Sequence, residues 1–78
     1  MTAREEILAA LPTVCARTGS DTFTAQDVIE ELQRRGTQYK PSTIRTHVVS
    51  RMCANSPDHH ARTYDDLERL ADGHYRRR

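Results

Sequence analysis

Two capping boxes frame this chain. Thr2-Ala3-Arg4-Glu5 and Thr24-Ala25-Gln26-Asp27 each place a hydroxyl three residues ahead of a carboxylate. In that pattern the threonine oxygen accepts from the amide three residues on, and the carboxylate reaches back to the threonine amide. Two backbone donors that lack a helical partner are thereby satisfied. Each box predicts a helix start, and apolar residues at helical spacing follow both: Ile7, Leu8, Leu11, Val14 and Cys15, then Val28, Ile29 and Leu32. Phe23 stands opposite Val28 as a hydrophobic staple. Gly19 and Gly36 follow the two stripes as helix-ending residues, so the helices cover about 3–17 and 25–35. Pro12 lies inside the first stripe and clashes with the carbonyl of Leu8, so a kink or an early stop is expected there.

A third helix, about 41–54, starts at Pro41, whose fixed φ suits the first helical position. Ile44, Val48 and Met52 share one side of it, with Val49 and Cys53 at the edge. Thr43, Thr46, His47 and Ser50 share the other, with Arg51 nearby. Tyr39, in the short linker Gly36–Lys40, is expected to fill the space between the second and third helices. Asn55-Ser56-Pro57-Asp58 reads as a turn. The C-terminal stretch, about 68–77, reads as a β-hairpin around Asp72-Gly73, because a type I′ turn needs positive φ at both central residues. That turn pairs Leu70 with Tyr75 on the inward face, where Glu68 meets Arg77, and leaves Arg69, His74 and Arg76 outward. The expected fold is mainly α with a small β-hairpin.

With 78 residues there is room for one domain, 1–78, and a small core. That favours a binding module over an enzyme with an enclosed pocket. The formal charge of +1 conceals a polarity: residues 1–33 carry a net −4 and residues 34–78 a net +5. A basic C-terminal half is a nucleic-acid-binding feature, with a solvated tail, Arg76-Arg77-Arg78, as the plainer alternative. The chain has no apolar run of transmembrane length, and Arg4, Glu5 and Glu6 occupy the place of a signal peptide's apolar region, so a cytoplasmic location without membrane contact is expected. Cys15 and Cys53 are expected as free, partly buried thiols. Cys53, His47, His59, His60 and His74 supply metal-type donors, but the spacing matches no zinc motif, so neither a metal nor another cofactor is expected. Asp58-His59-His60 is read as a turn with a ring stacked on Tyr64, or as part of a pocket on the binding face. Asp65, Asp66 and Glu68 are read as charge partners of the hairpin arginines rather than as a catalytic cluster.

The order helix, short extended segment Thr22–Thr24, helix, tight turn, helix, hairpin resembles a winged helix-turn-helix domain over nearly the whole chain. The stretches that carry the resemblance are Phe23-Thr24-Ala25-Gln26-Asp27-Val28, Pro41-Ser42-Thr43-Ile44-Arg45-Thr46-His47 and the Asp72-Gly73 hairpin. The continuation from Ser42 through Asn55–His60 to Tyr64–Arg69 is similar to a small bacterial branch, also seen fused to restriction-type nucleases. The resemblance implies binding of double-stranded DNA, with the third helix in the major groove and the wing on the backbone. In its sharper form it implies a regulator or defence module that senses 5-methylcytosine.

The candidate DNA-binding residues are Ser42, Thr43, Arg45, Thr46, His47, Ser50, Arg51, Arg69, His74 and Arg76. Short polar groups let a helix approach base edges, and threonine methyls suit a thymine or 5-methylcytosine methyl. Arginines suit guanine or phosphate. Ser42 and Thr43 can also meet a phosphate at the helix start, and Arg69, His74 and Arg76 contact the backbone or minor groove. Arg45 has a second reading, lying over the core and pairing with an acid of helix two. Thr43, Ser50 and His47 can equally be a solvated face. One chain covers about one half-site, so a homodimer is expected. The alternative function is a protein-interaction module that does not bind DNA. Arg45, Arg51, Arg69 and Arg76 on one face favour DNA, whereas internal ion pairing favours a protein partner.

Overall fold

The computed structural model describes residues 2–53, 64 and 66–78. Its elements run α1 (Ala3–Thr18), β1 (Thr22–Phe23), α2 (Ala25–Arg34), α3 (Pro41–Thr46), a π-helical turn (His47–Arg51), β2 (Leu67–Arg69) and β3 (Tyr75–Arg77). The protein is mainly helical, with a small antiparallel sheet of order β1-β3-β2. The Asn55–Asp58 turn and the His59 and His60 readings lie outside the described residues.

Both capping boxes form. Thr2 Oγ1 accepts from the Glu5 amide at 3.2 Å while the Glu5 carboxylate accepts from the Thr2 amide at 2.9 Å. Thr24 and Asp27 make the same exchange at 3.1 and 2.9 Å. The α2 end is a Schellman motif: Gly36, at φ 75°, donates to Gln33 at 3.1 Å and Thr37 donates to Leu32 at 3.0 Å. Helix α1 passes through Pro12 and continues to Thr18, so the early stop does not occur. Pro12 faces solvent, where water can satisfy the carbonyl it leaves without a donor.

The core draws on every element: Ile7, Leu11 and Val14 from α1, Phe23 from β1, Val28, Ile29 and Leu32 from α2, Ile44 from α3, Val48 from the π turn, then Met52, Leu67 and Tyr75. Each of the larger side chains contributes about 1.5–3 kcal/mol when fully buried. Tyr39 packs against this cluster, together with Leu8, Cys15 and Val49.

Two expectations need correction. The third helix does not continue as α-helix to residue 54. It turns π-helical at His47, where the Met52 amide donates five residues back to the His47 carbonyl at 2.8 Å. The chain then returns against its end: Tyr64 donates to the Arg51 carbonyl, Leu67 donates to the Met52 carbonyl, and Cys53 bridges to Leu67. The hairpin is the second correction. Asp72 and Gly73 both take left-handed φ, 62° and 74°, as the Asp-Gly pair predicts. The register nevertheless slips by one, to Leu67↔Arg77, Glu68↔Arg76 and Arg69↔Tyr75. Leu70 donates to the His74 carbonyl at 2.7 Å, so three residues rather than two form the loop. A slip of one residue exchanges the faces of a strand. Leu67 is therefore the buried leucine of β2, Leu70 is half-buried, and Glu68 pairs with Arg76 instead of Arg77.

Candidate functional site

Ile44 and Val48 are fully buried and hold the helical segment 41–51 against the core. The side chains between them turn outward. Ser42, Thr43, Thr46, His47 and Arg51 together line an open depression of about 410 Å³. Ser50 does not join them. It is only 8% exposed, because the π turn and the chain returning past Arg51 break the straight-helix geometry behind the two-faced assignment. Ser50 is therefore withdrawn from the candidate interface.

Several of these groups are already oriented. Thr46 donates its hydroxyl to the Ser42 carbonyl at 2.9 Å, which leaves a methyl and a lone pair for a ligand. His47 Nδ1 lies 2.9 Å from the Thr43 carbonyl. Arg45 is exposed and donates to the side-chain oxygen of Gln26 at 3.2 Å, so its helix-two partner is a neutral amide and not an acid. Arg51 is exposed and forms no ion pair among the described residues.

The hairpin supplies a second group. Arg69, His74 and Arg76 are all exposed, but the slipped register sets Arg69 opposite Tyr75 and Arg76 opposite Glu68, so the two arginines stand on opposite faces of the hairpin and do not share one outward face. Arg76 is ion-paired with Glu68 at 3.2 Å, and His74 Nδ1 lies 3.2 Å from the Asp72 carbonyl. Burial pushes the Tyr75 phenol up, while the positive charges of Arg69 and Arg45 pull it down.

A further depression, of about 330 Å³, is lined by Thr2, Arg4, Glu5, His47, Arg51 and Tyr64. It shares His47 and Arg51 with the first. Here Arg4 makes a two-pronged pair with Asp66, at 2.7 and 2.9 Å, and its guanidinium sits 4.1 Å from the Tyr64 ring centre. The bond to Asp66 raises the Arg4 pKa further above its ordinary value. Asp66 is therefore a partner of α1, whereas the sequence reading assigned it to the hairpin arginines.

Sequence reasoning missed Glu31. It is 5% exposed and bound by Arg35 at 2.8 Å, Arg17 at 3.1 Å and Arg34 at 3.5 Å. The Arg35 hydrogen bond is the main cause of a carboxyl held below its usual range, against the upward push of burial. The signal was present, since Arg34 and Arg35 stand three and four residues beyond Glu31.

Cys53 is buried and Cys15 half-buried, and the two form no disulfide. Burial pushes the Cys15 thiol up. Among the described residues no three His, Cys, Asp or Glu side chains gather as a metal site, and no helix is long and apolar enough to cross a membrane. No curated protein and no solved structure matches the chain. A family model described as a domain of unknown function, DUF7669, matches residues 7–77, and the chain belongs to that family.

Proposed function

We propose that this protein binds double-stranded DNA, with segment 41–51 in the major groove and the β2–β3 hairpin on the adjacent backbone. One observation carries the reading: Ser42, Thr43, Thr46, His47 and Arg51 gather on a single open depression of a helix held from behind by Ile44 and Val48. Such a surface presents short polar groups, a methyl and a cation, Arg51, that forms no ion pair among the described residues, to a groove. The order α1-β1-α2-α3-β2-β3 with sheet order β1-β3-β2 supports a winged helix-turn-helix architecture.

Within this reading Arg51 and Arg69 bind phosphate, and Thr43, Thr46 and His47 face base edges. The Thr46 methyl is the group that meets a thymine or 5-methylcytosine methyl. The function is binding, with no catalytic step, and a homodimer places two copies about one helical turn apart on paired half-sites. Fluorescence anisotropy of a labelled duplex pool, unmodified and CpG- or CCWGG-methylated, at two salt concentrations tests this. Binding that weakens steeply with salt is the expected result. Preference for the methylated pool identifies a modified-cytosine sensor. Absence of binding at low salt overturns the reading and leaves a protein-interaction surface.

A further inference from the structure

His47 occupies the junction of the two depressions, and its ring has one nitrogen already committed. Nδ1 lies 2.9 Å from the Thr43 carbonyl oxygen. A carbonyl only accepts, so Nδ1 carries the proton and donates. In the neutral imidazole the other nitrogen is then a bare acceptor. The same bond fixes the ring's rotation on the helix. The structure therefore orients a hydrogen-bond acceptor, Nε2, on a residue of the proposed reading face.

We propose that His47 is a specificity-determining residue that accepts a hydrogen bond from an exocyclic amino group in the major groove. This rests on the DNA-binding reading and deepens it. In the major groove only cytosine N4 and adenine N6 offer such donors, whereas guanine and thymine present acceptors at the corresponding edges. An acceptor held at Nε2 thus selects an amino base, A or C, over a keto base, G or T, at one position of one strand. Facing G or T, the Nε2 lone pair meets another lone pair and the contact repels. The neighbouring groups fit this division. Thr46 has its hydroxyl proton committed to Ser42, so it adds a second acceptor and a methyl, while Arg51 is the donor available for guanine or phosphate.

Two experiments with different readouts decide the matter. Long-range ¹⁵N–¹H correlation spectra of the free, full-length protein report the His47 tautomer without DNA. The Nδ1–H form is expected, and an Nε2–H signal overturns the assignment while leaving DNA binding untouched. Selection from a randomised duplex library then gives base preferences for the wild type, His47→Ala and His47→Gln. The wild type is expected to prefer A and C over G and T by about fivefold or more at one position. His47→Ala loses that preference and binds the preferred duplexes more weakly, while the slope of its affinity against salt stays that of the wild type, because the neutral ring meets no phosphate. His47→Gln narrows it to A, because a glutamine amide pairs with adenine through both N6 and N7. A keto preference at that position, or one unmoved by either substitution, overturns the inference. Failure of every variant and the wild type to bind any duplex overturns the DNA reading itself, and the base assignment with it.

Discussion

The arginines of α1 and α2 and those of segment 41–51 do opposite things. Around α1 and α2, Arg4, Arg17, Arg34 and Arg35 all find carboxylates: Asp66 takes the first and Glu31 the other three. Along segment 41–51, Arg45 meets only an amide and Arg51 no acid among the described residues. Composition treats these side chains alike. What separates them is whether the fold brings a carboxylate of the described residues within reach, which the spacing along the chain does not reveal. The balance of −4 and +5 between the two halves of the sequence therefore misleads in detail. Of the six acids in residues 1–33, Glu31 alone forms ion pairs among the described residues, and Arg34 and Arg35 of the basic half join Arg17 in holding it.

Breaking the paired side has the largest effect. Glu31→Ala removes the buried carboxylate that three half-exposed arginines share and leaves their like charges together, so thermal denaturation is expected at a lower midpoint than wild type. Binding to DNA by the folded fraction stays unchanged. An unaltered midpoint in calorimetry shows that the cluster is decorative.

Acid separates the two groups more gently. The Arg35 bond holds Glu31 below its usual range, and the Thr2 backbone bond does the same for Glu5. A depressed folded-state pKa gives stability that is present above the unfolded value, near ~4.3, and lost as pH falls through the folded value. Urea midpoints should thus fall below about pH 4. Glu31→Gln flattens that fall, and equal slopes for variant and wild type contradict the assignment.

On the unpaired side, Arg51→Ala is expected to leave the thermal midpoint unmoved. It weakens binding to all duplexes alike and lowers the slope of log K against log salt by about 1. A loss confined to one sequence shows instead that Arg51 reads a base. The smallest effect is Glu68→Ala. Removing an exposed partner changes stability by less than about 1 kcal/mol. It also frees Arg76, so DNA affinity rises slightly at low salt. A fall in affinity places the Glu68–Arg76 pair, rather than free Arg76, at the interface.

The features legible in the residues are those whose partners lie within one turn of chain. The capping boxes join residues three apart, the Gly36 cap closes over the preceding turn, and the left-handed Asp72 and Gly73 follow from local backbone preference. The apolar stripes of α1 and α2 are also local, set by helical periodicity. Apart from the Glu31 pairs with Arg34 and Arg35, which are local, the features that escaped depend on distant chain. Arg4 and Asp66 stand 62 positions apart. The hairpin register follows from anchoring at its first strand, where Leu67 donates to the Met52 carbonyl and buries its side chain, rather than from its turn. Ser50 looked exposed on an ideal wheel because a wheel knows neither the π turn nor the strand that returns beside it. Short-range hydrogen bonds and periodicity thus specify where elements start and stop. Burial and charge pairing are settled only when the elements meet, because both depend on neighbours that sequence order does not reveal.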